Sequence, residues 1–195
     1  MHAPRIGLIL GLAAMLAACS GQPGNETAAN GAAPAAKESG QRQTIGDALA
    51  AAGDYSELVA ALNAAGLAET LRGAGPYTLF APTNAAFAAL PAEARGALTQ
   101  PVNRERLVGL LRLHIVPGAV TVQDMRAAID RGQSGRAELA TLSGETLTLS
   151  RDGDALLIGA GAGGRARLSG AEAIHSNGVV HGVDAVLMPA ENGSN

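Results

Sequence analysis

Asn177-Gly178-Val179-Val180-His181-Gly182-Val183-Asp184-Ala185-Val186-Leu187-Met188-Pro189 is the stretch on which the fold assignment turns. Asn-Gly accepts positive φ at low cost, so the pair marks a turn. From Val179 to Met188 the run is apolar on both faces, which predicts a central strand that Pro189 closes. Upstream, Thr146, Thr148 and Ser150 alternate with Leu147 and Leu149, the period-two signature of a half-buried strand. Residues 156–158, 165–168 and 171–175 read as further short strands.

Before residue 136 the periodicity is helical. Residues 45–52 are Ala-rich and stop at Gly53. Asp54 and Glu57 have capping-box spacing, which predicts a second helix starting at Asp54. Its Tyr55, Leu58, Val59 and Leu62 follow the i, i+3, i+4, i+7 series, and Gly66 ends it. Residues 67–72 make another helical turn. Pro76-Tyr77-Thr78-Leu79-Phe80-Ala81-Pro82 reads as a short strand between prolines. Thr83 or Asn84 then caps a helix that turns Phe87 and Leu90 inward. A helix over residues 103–113 carries Leu107, Leu110, Leu111 and His114 on its buried side, and Pro117-Gly118 stops it. Thr121 with Asp124 opens a last helix over 122–130. The class is α+β, helices first and a largely antiparallel sheet after.

Three of these stretches, taken together, resemble the fasciclin (FAS1) family. Thr78-Leu79-Phe80-Ala81-Pro82-Thr83-Asn84-Ala85-Ala86-Phe87 is similar to its first signature block. Leu110-Leu111-Arg112-Leu113-His114-Ile115-Val116-Pro117-Gly118 is similar to its central Tyr-His segment, and the 177–189 run to its second block. Order and spacing agree over about residues 44–189. The resemblance implies a wedge of β-strands flanked by several α-helices, and adhesion or matrix contact rather than catalysis. It also implies that Thr83, Asn84, His114, Asn177, Gly178 and His181 belong to the structural motif. Two departures weigh against animal-type receptor binding: the family's Tyr before the central His is Leu113, and its Asp-Ile pair falls on Glu172 and Ala173.

The amino-terminal end reads as an address. Arg5 precedes an apolar run from Ile6 to Leu16, and Leu16-Ala17-Ala18-Cys19 resembles a bacterial lipobox whose cysteine is acylated. Residues 6–18, if helical, span about 20 Å against a hydrocarbon layer of roughly 30 Å, so a permanent transmembrane helix is the weaker reading. Two or more acyl chains on Cys19 give stable anchoring in the bilayer where one would not. Ser20 fits sorting to the outer membrane rather than the inner. Residues 20–43 are rich in Gly, Ala, Asn, Gln, Ser and Pro, and predict a disordered tether of about 25–30 Å reach. The expected organisation is a signal peptide (1–18), lipidated Cys19 with its tether (19–43), one monomeric fasciclin-type domain (44–190) and a disordered tail (191–195).

A net charge of -3 and a pI near 5.8 argue against nucleic-acid binding, which needs clustered cations. Aromatic residues at 2% remove stacking platforms. Cys19 is the single cysteine, so no intramolecular disulfide is expected. His114, His181 and Asp184 are the constellation that could serve a periplasmic hydrolase or a metal or small-ligand carrier. A histidine on an apolar helix face is more often a satisfied core residue. His175 reads as neutral surface. Gly159-x-Gly161-x-x-Gly164 matches a dinucleotide fingerprint formally, but residues 165–168 after it read as strand rather than helix, so a hairpin loop is expected. No catalytic set and no cofactor are implied. The partner is expected to be an envelope protein, a polysaccharide or a neighbouring cell, with residues 131–136 and 159–165 as candidate contact loops.

Overall fold

The computed structural model describes residues 43–92, 95, 96, 100–132, 134–161, 163–169 and 172–189. The signal-peptide, Cys19, tether and tail assignments, apart from Gln43, lie outside the described residues. No helix among the described residues is long and apolar enough to cross a membrane.

Helices α1 (Ile45–Ala51), α2 (Ser56–Ala65) and α3 (Ala68–Arg72) come first. Strand β1 (Tyr77–Pro82) leads into α4 (Asn84–Ala88), then α5 (Arg104–Leu113), β2 (Ile115–Pro117) and α6 (Val122–Arg131). A meander comes next: β3 (Arg136–Ala140), β4 (Thr146–Asp152), β5 (Ala155–Ala160) and β6 (Gly163–Arg167). Strands β7 (Ala173–His175) and β8 (Gly178–Val183) end the fold. The class is α+β.

The meander makes an antiparallel sheet in the order β3-β4-β5-β6, and the other sheet runs β2-β1-β8-β7. In the second sheet β1 and β8 pair in parallel, from Tyr77 opposite Gly178 to Pro82 opposite Val183. The two sheets join where Leu168 bridges Val183 antiparallel. Ser169 N–H donates to the Gly182 carbonyl there at 2.7 Å.

Burial explains why β1 and β8 are apolar throughout. Leu79 and Ala81 face a core built with Ile45, Leu58, Leu71 and Leu111 of the helices. Phe80 points the other way, into a second core with Leu113, Met125, Leu147, Leu149 and Ile158. The β1–β8 sheet is therefore covered on both faces, which is what parallel strands require. Burying a side chain such as Leu79 or Phe80 contributes roughly 1.5–3 kcal/mol.

Four expectations are corrected. The second helix does not start at an Asp54 capping box. Residues 53–55 form a 3-10 turn, and the exposed Glu57 N–H is capped by Asn84 Oδ1 at 3.1 Å. A strand, β2, comes directly after α5, because Ile115 and Val116 are drawn into pairing with Leu79 and Thr78. Strand β8 ends at Val183 rather than running to Met188. The chain turns there so that Asp184 N–H reaches the Arg167 carbonyl and Leu187 N–H reaches His114. The Asn-Gly pair is not the centre of its turn: Ser176 and Asn177 are, and Gly178 already opens β8 opposite His175. By contrast, both hydrogen bonds of the Thr121–Asp124 capping box are present at α6.

Candidate functional site

The residues of the signature blocks cluster around β1 and β8, and each polar side chain is bound to backbone. Thr83 Oγ1 accepts from Ala86 N–H at 3.3 Å and caps α4. Asn84, freed from that duty, turns to α2. Besides accepting from Glu57 it donates through Nδ2 to the Gly53 carbonyl at 2.9 Å. Asn177 is buried and reaches three groups. Its Oδ1 accepts from Ile45 N–H at 2.8 Å, and its Nδ2 donates to the carbonyls of Leu71 and Gly73 at 2.8 and 2.9 Å. Sequence reading missed Thr78, a buried hydroxyl that donates to the Gly118 carbonyl and accepts from Val120 N–H. Its signal was available, as a lone polar residue inside an apolar strand.

His114 is wholly buried at the C-terminal end of α5. Nδ1 lies 2.8 Å from the Leu110 carbonyl, so it donates there, and Nε2 accepts from Leu187 N–H at 3.1 Å. These partners fix the neutral tautomer with its proton on Nδ1. Burial drives the pKa from 6.5 down to about 4, against the opposing pull of the Leu110 carbonyl. His181 packs against Phe80, with ring centroids 5.6 Å apart, and donates from Nε2 to the Val120 carbonyl at 2.8 Å. Burial lowers its pKa too, while the Val120 hydrogen bond and the Glu172 carboxylate oppose the shift.

The buried His114 makes stability depend on pH. Between about 4 and 6.5 the unfolded chain binds a proton at His114 that the folded chain refuses. This part of the stability is therefore whole above pH 6.5 and drains as pH falls toward 4, by on the order of 3 kcal/mol. We expect the Tm to drop over that window. His114→Ala should melt lower at pH 7, because it orphans the Leu187 N–H, yet lose less on acidification. An unchanged acid slope in thermal melts would move the effect to other groups.

His114, His181 and Asp184 are each engaged by backbone groups. Both His114 nitrogens are occupied by backbone. Asp184 Oδ1 accepts from Arg167 N–H at 2.7 Å, continuing the seam between the sheets. Among the described residues no group of three or more His, Cys, Asp or Glu is placed to hold a metal ion. His175 lies half-buried in β7. The glycines at 159, 161 and 164 lie on the β5–β6 hairpin, whose second strand takes the place a nucleotide-binding helix would need. At the two departure positions, Leu113 is fully buried, and Glu172 reaches across to accept from Val122 N–H at the start of α6.

A family profile describing the fasciclin domain matches residues 53–189. The chain belongs to the fasciclin family. Protein sll1483 of Synechocystis sp. is 42% identical over 147 residues, covering 75% of this chain and 73% of that protein. Transforming growth factor-beta-induced protein ig-h3 of Sus scrofa is 33% identical over 149 residues, and there the fasciclin domain spans 76% of this chain but 20% of the relative. A solved FAS1 domain pair from the insect cell adhesion molecule fasciclin I is similar at 22% identity and a TM-score of 0.47, covering 66% of this chain and 40% of that one. The fasciclin domain here thus accounts for most of the Synechocystis relative and a fifth of the Sus scrofa one.

Proposed function

We propose that this fasciclin domain is a non-catalytic interaction module, held at a bacterial outer membrane by acylated Cys19, that contacts an envelope protein, a polysaccharide or a neighbouring cell. The observation that carries this reading is the employment of the signature side chains. Thr83, Asn84, His114, Asn177 and His181 all spend hydrogen bonds on backbone groups, so they serve the scaffold. Family membership supports the adhesion class. The Leu16-Ala17-Ala18-Cys19 sequence supports the anchor. The segments at residues 131–136 and 159–165, from the end of α6 to the start of β3 and from the end of β5 into β6, are the candidates for contacts.

Cells producing the full chain are expected to aggregate and form biofilm more than cells producing it without residues 44–189. Equal biomass and equal aggregation in both strains would remove the adhesion reading. Cys19→Ser is expected to move the protein from the membrane fraction to the soluble fraction. An unshifted distribution, or an intact mass showing an unmodified thiol in the parent, would remove the anchor.

A further inference from the structure

We propose that the cavity beside His181 binds a small zwitterion of amino-acid size. The cavity opens between the first turns of α6, the β4–β5 turn and the end of β8, and its volume is about 140 Å³. Val122, Leu156 and Leu168 supply apolar wall, Arg126 and Asp154 carry charge, and His181 is among the lining residues.

Three observations point to a ligand. The first is His181, only 2% exposed. Its Nε2 proton is committed to the Val120 carbonyl, which leaves Nδ1 a bare acceptor with no donor among the described residues. Among the described residues no buried side-chain nitrogen or oxygen lacks a partner, so Nδ1 must reach open space, and the cavity is the space His181 lines. The second is the pair of charges. Arg126 and Asp154 are exposed and of opposite sign, yet among the described residues neither makes an ion pair, with the other or with a third group. The third is size. A cavity of about 150 Å³ holds a benzene molecule, about six non-hydrogen atoms, and alanine has as many.

These features fix the ligand's chemistry. A carboxylate suits the Arg126 guanidinium, which can donate two parallel N–H bonds to it. An ammonium group suits Asp154 and can donate one N–H to His181 Nδ1. A methyl-sized side chain fills the apolar wall, and a longer one exceeds the volume. A free amino acid carries both charges on one carbon, whereas the end of a peptide carries only one of them. This inference stands apart from adhesion, since the purified protein can bind whether or not cells aggregate.

The test is nitrogen NMR of the histidine rings in the purified full-length chain, titrated with L-alanine, D-alanine and the dipeptide Ala-Ala. The expected result is a saturable shift of His181 Nδ1 with an alanine enantiomer, and weaker binding of the larger dipeptide. Acetate or ethylamine alone should bind at least about tenfold more weakly. Arg126→Ala should weaken binding by about tenfold or more, and Asp154→Asn similarly, with the backbone amide spectrum preserved because both positions are exposed. Stronger binding of the dipeptide than of either alanine enantiomer would overturn the assignment to a ligand of amino-acid size. No saturable shift, or binding indifferent to both substitutions, would overturn the proposal and leave a water-filled crevice.

Discussion

Gly178→Ala is expected to yield little or no folded protein. Gly178 has φ 151°, and a Cβ built on its backbone would stand 1.8 Å from the Tyr77 carbonyl oxygen. Contacts of a Cβ under 3.0 Å essentially never occur. The obstruction is main chain, so no rotamer relieves it. Tyr77 is also the first partner of Gly178 in the parallel β1–β8 ladder, and its N–H donates to the Asn177 carbonyl at 3.0 Å. Making room therefore parts the two central strands of a sheet packed on both faces. The cost should exceed about 4 kcal/mol, a large share of the roughly 5–15 kcal/mol that holds an ordinary domain together. Circular dichroism and a thermal melt check it. A cooperative transition within a few degrees of the parent's would show that β1 can yield.

Asn177→Ala should be the next most damaging change. One side chain answers the first N–H of α1 and two carbonyls at the end of α3, groups that helix ends leave without intrahelical partners. Each unmatched buried group costs about 1–3 kcal/mol. Gly73 is exposed and can take water instead, so the sum is on the order of 4 kcal/mol, or a Tm lower by roughly 10 °C. Asn177→Asp sharpens the test. It keeps the acceptor for Ile45 but turns an oxygen toward two carbonyls, so at neutral pH it should melt no higher than the alanine variant. An aspartate variant that melts like wild type would mean that the bonds to α3 carry no weight.

Much of this architecture is written locally. The alternation at Thr146, Leu147, Thr148 and Leu149 announces β4, and Thr121 with Asp124 announces the start of α6, because both signals act within a few residues. What escapes local reading is set by distant partners. Asn84 caps a helix that begins 28 residues earlier, at Ser56, a relation no spacing rule encodes. The parallel pairing of β1 with β8 joins residues some hundred positions apart, and short apolar runs do not declare their neighbours. The apolar segment after Val183 looks like more strand, yet Asp184 and Leu187 bend it onto Arg167 and His114. The family blocks located His114, Asn177 and His181, but their hydrogen-bond targets needed three dimensions. Arg126 and Asp154 carried no sequence signal, since their meaning lies in sharing a cavity mouth with His181.

The amino-terminal edge of the domain is fastened to its last hairpin: the Gln43 carbonyl accepts from both the N–H and the hydroxyl of Ser176, one residue before Asn177 takes hold of Ile45. A pull applied at Gln43 thus reaches the turn that leads into β8 before it reaches any helix. The load passes from there into two strands lying side by side in the same direction, whose bonds must slide past one another together instead of opening singly.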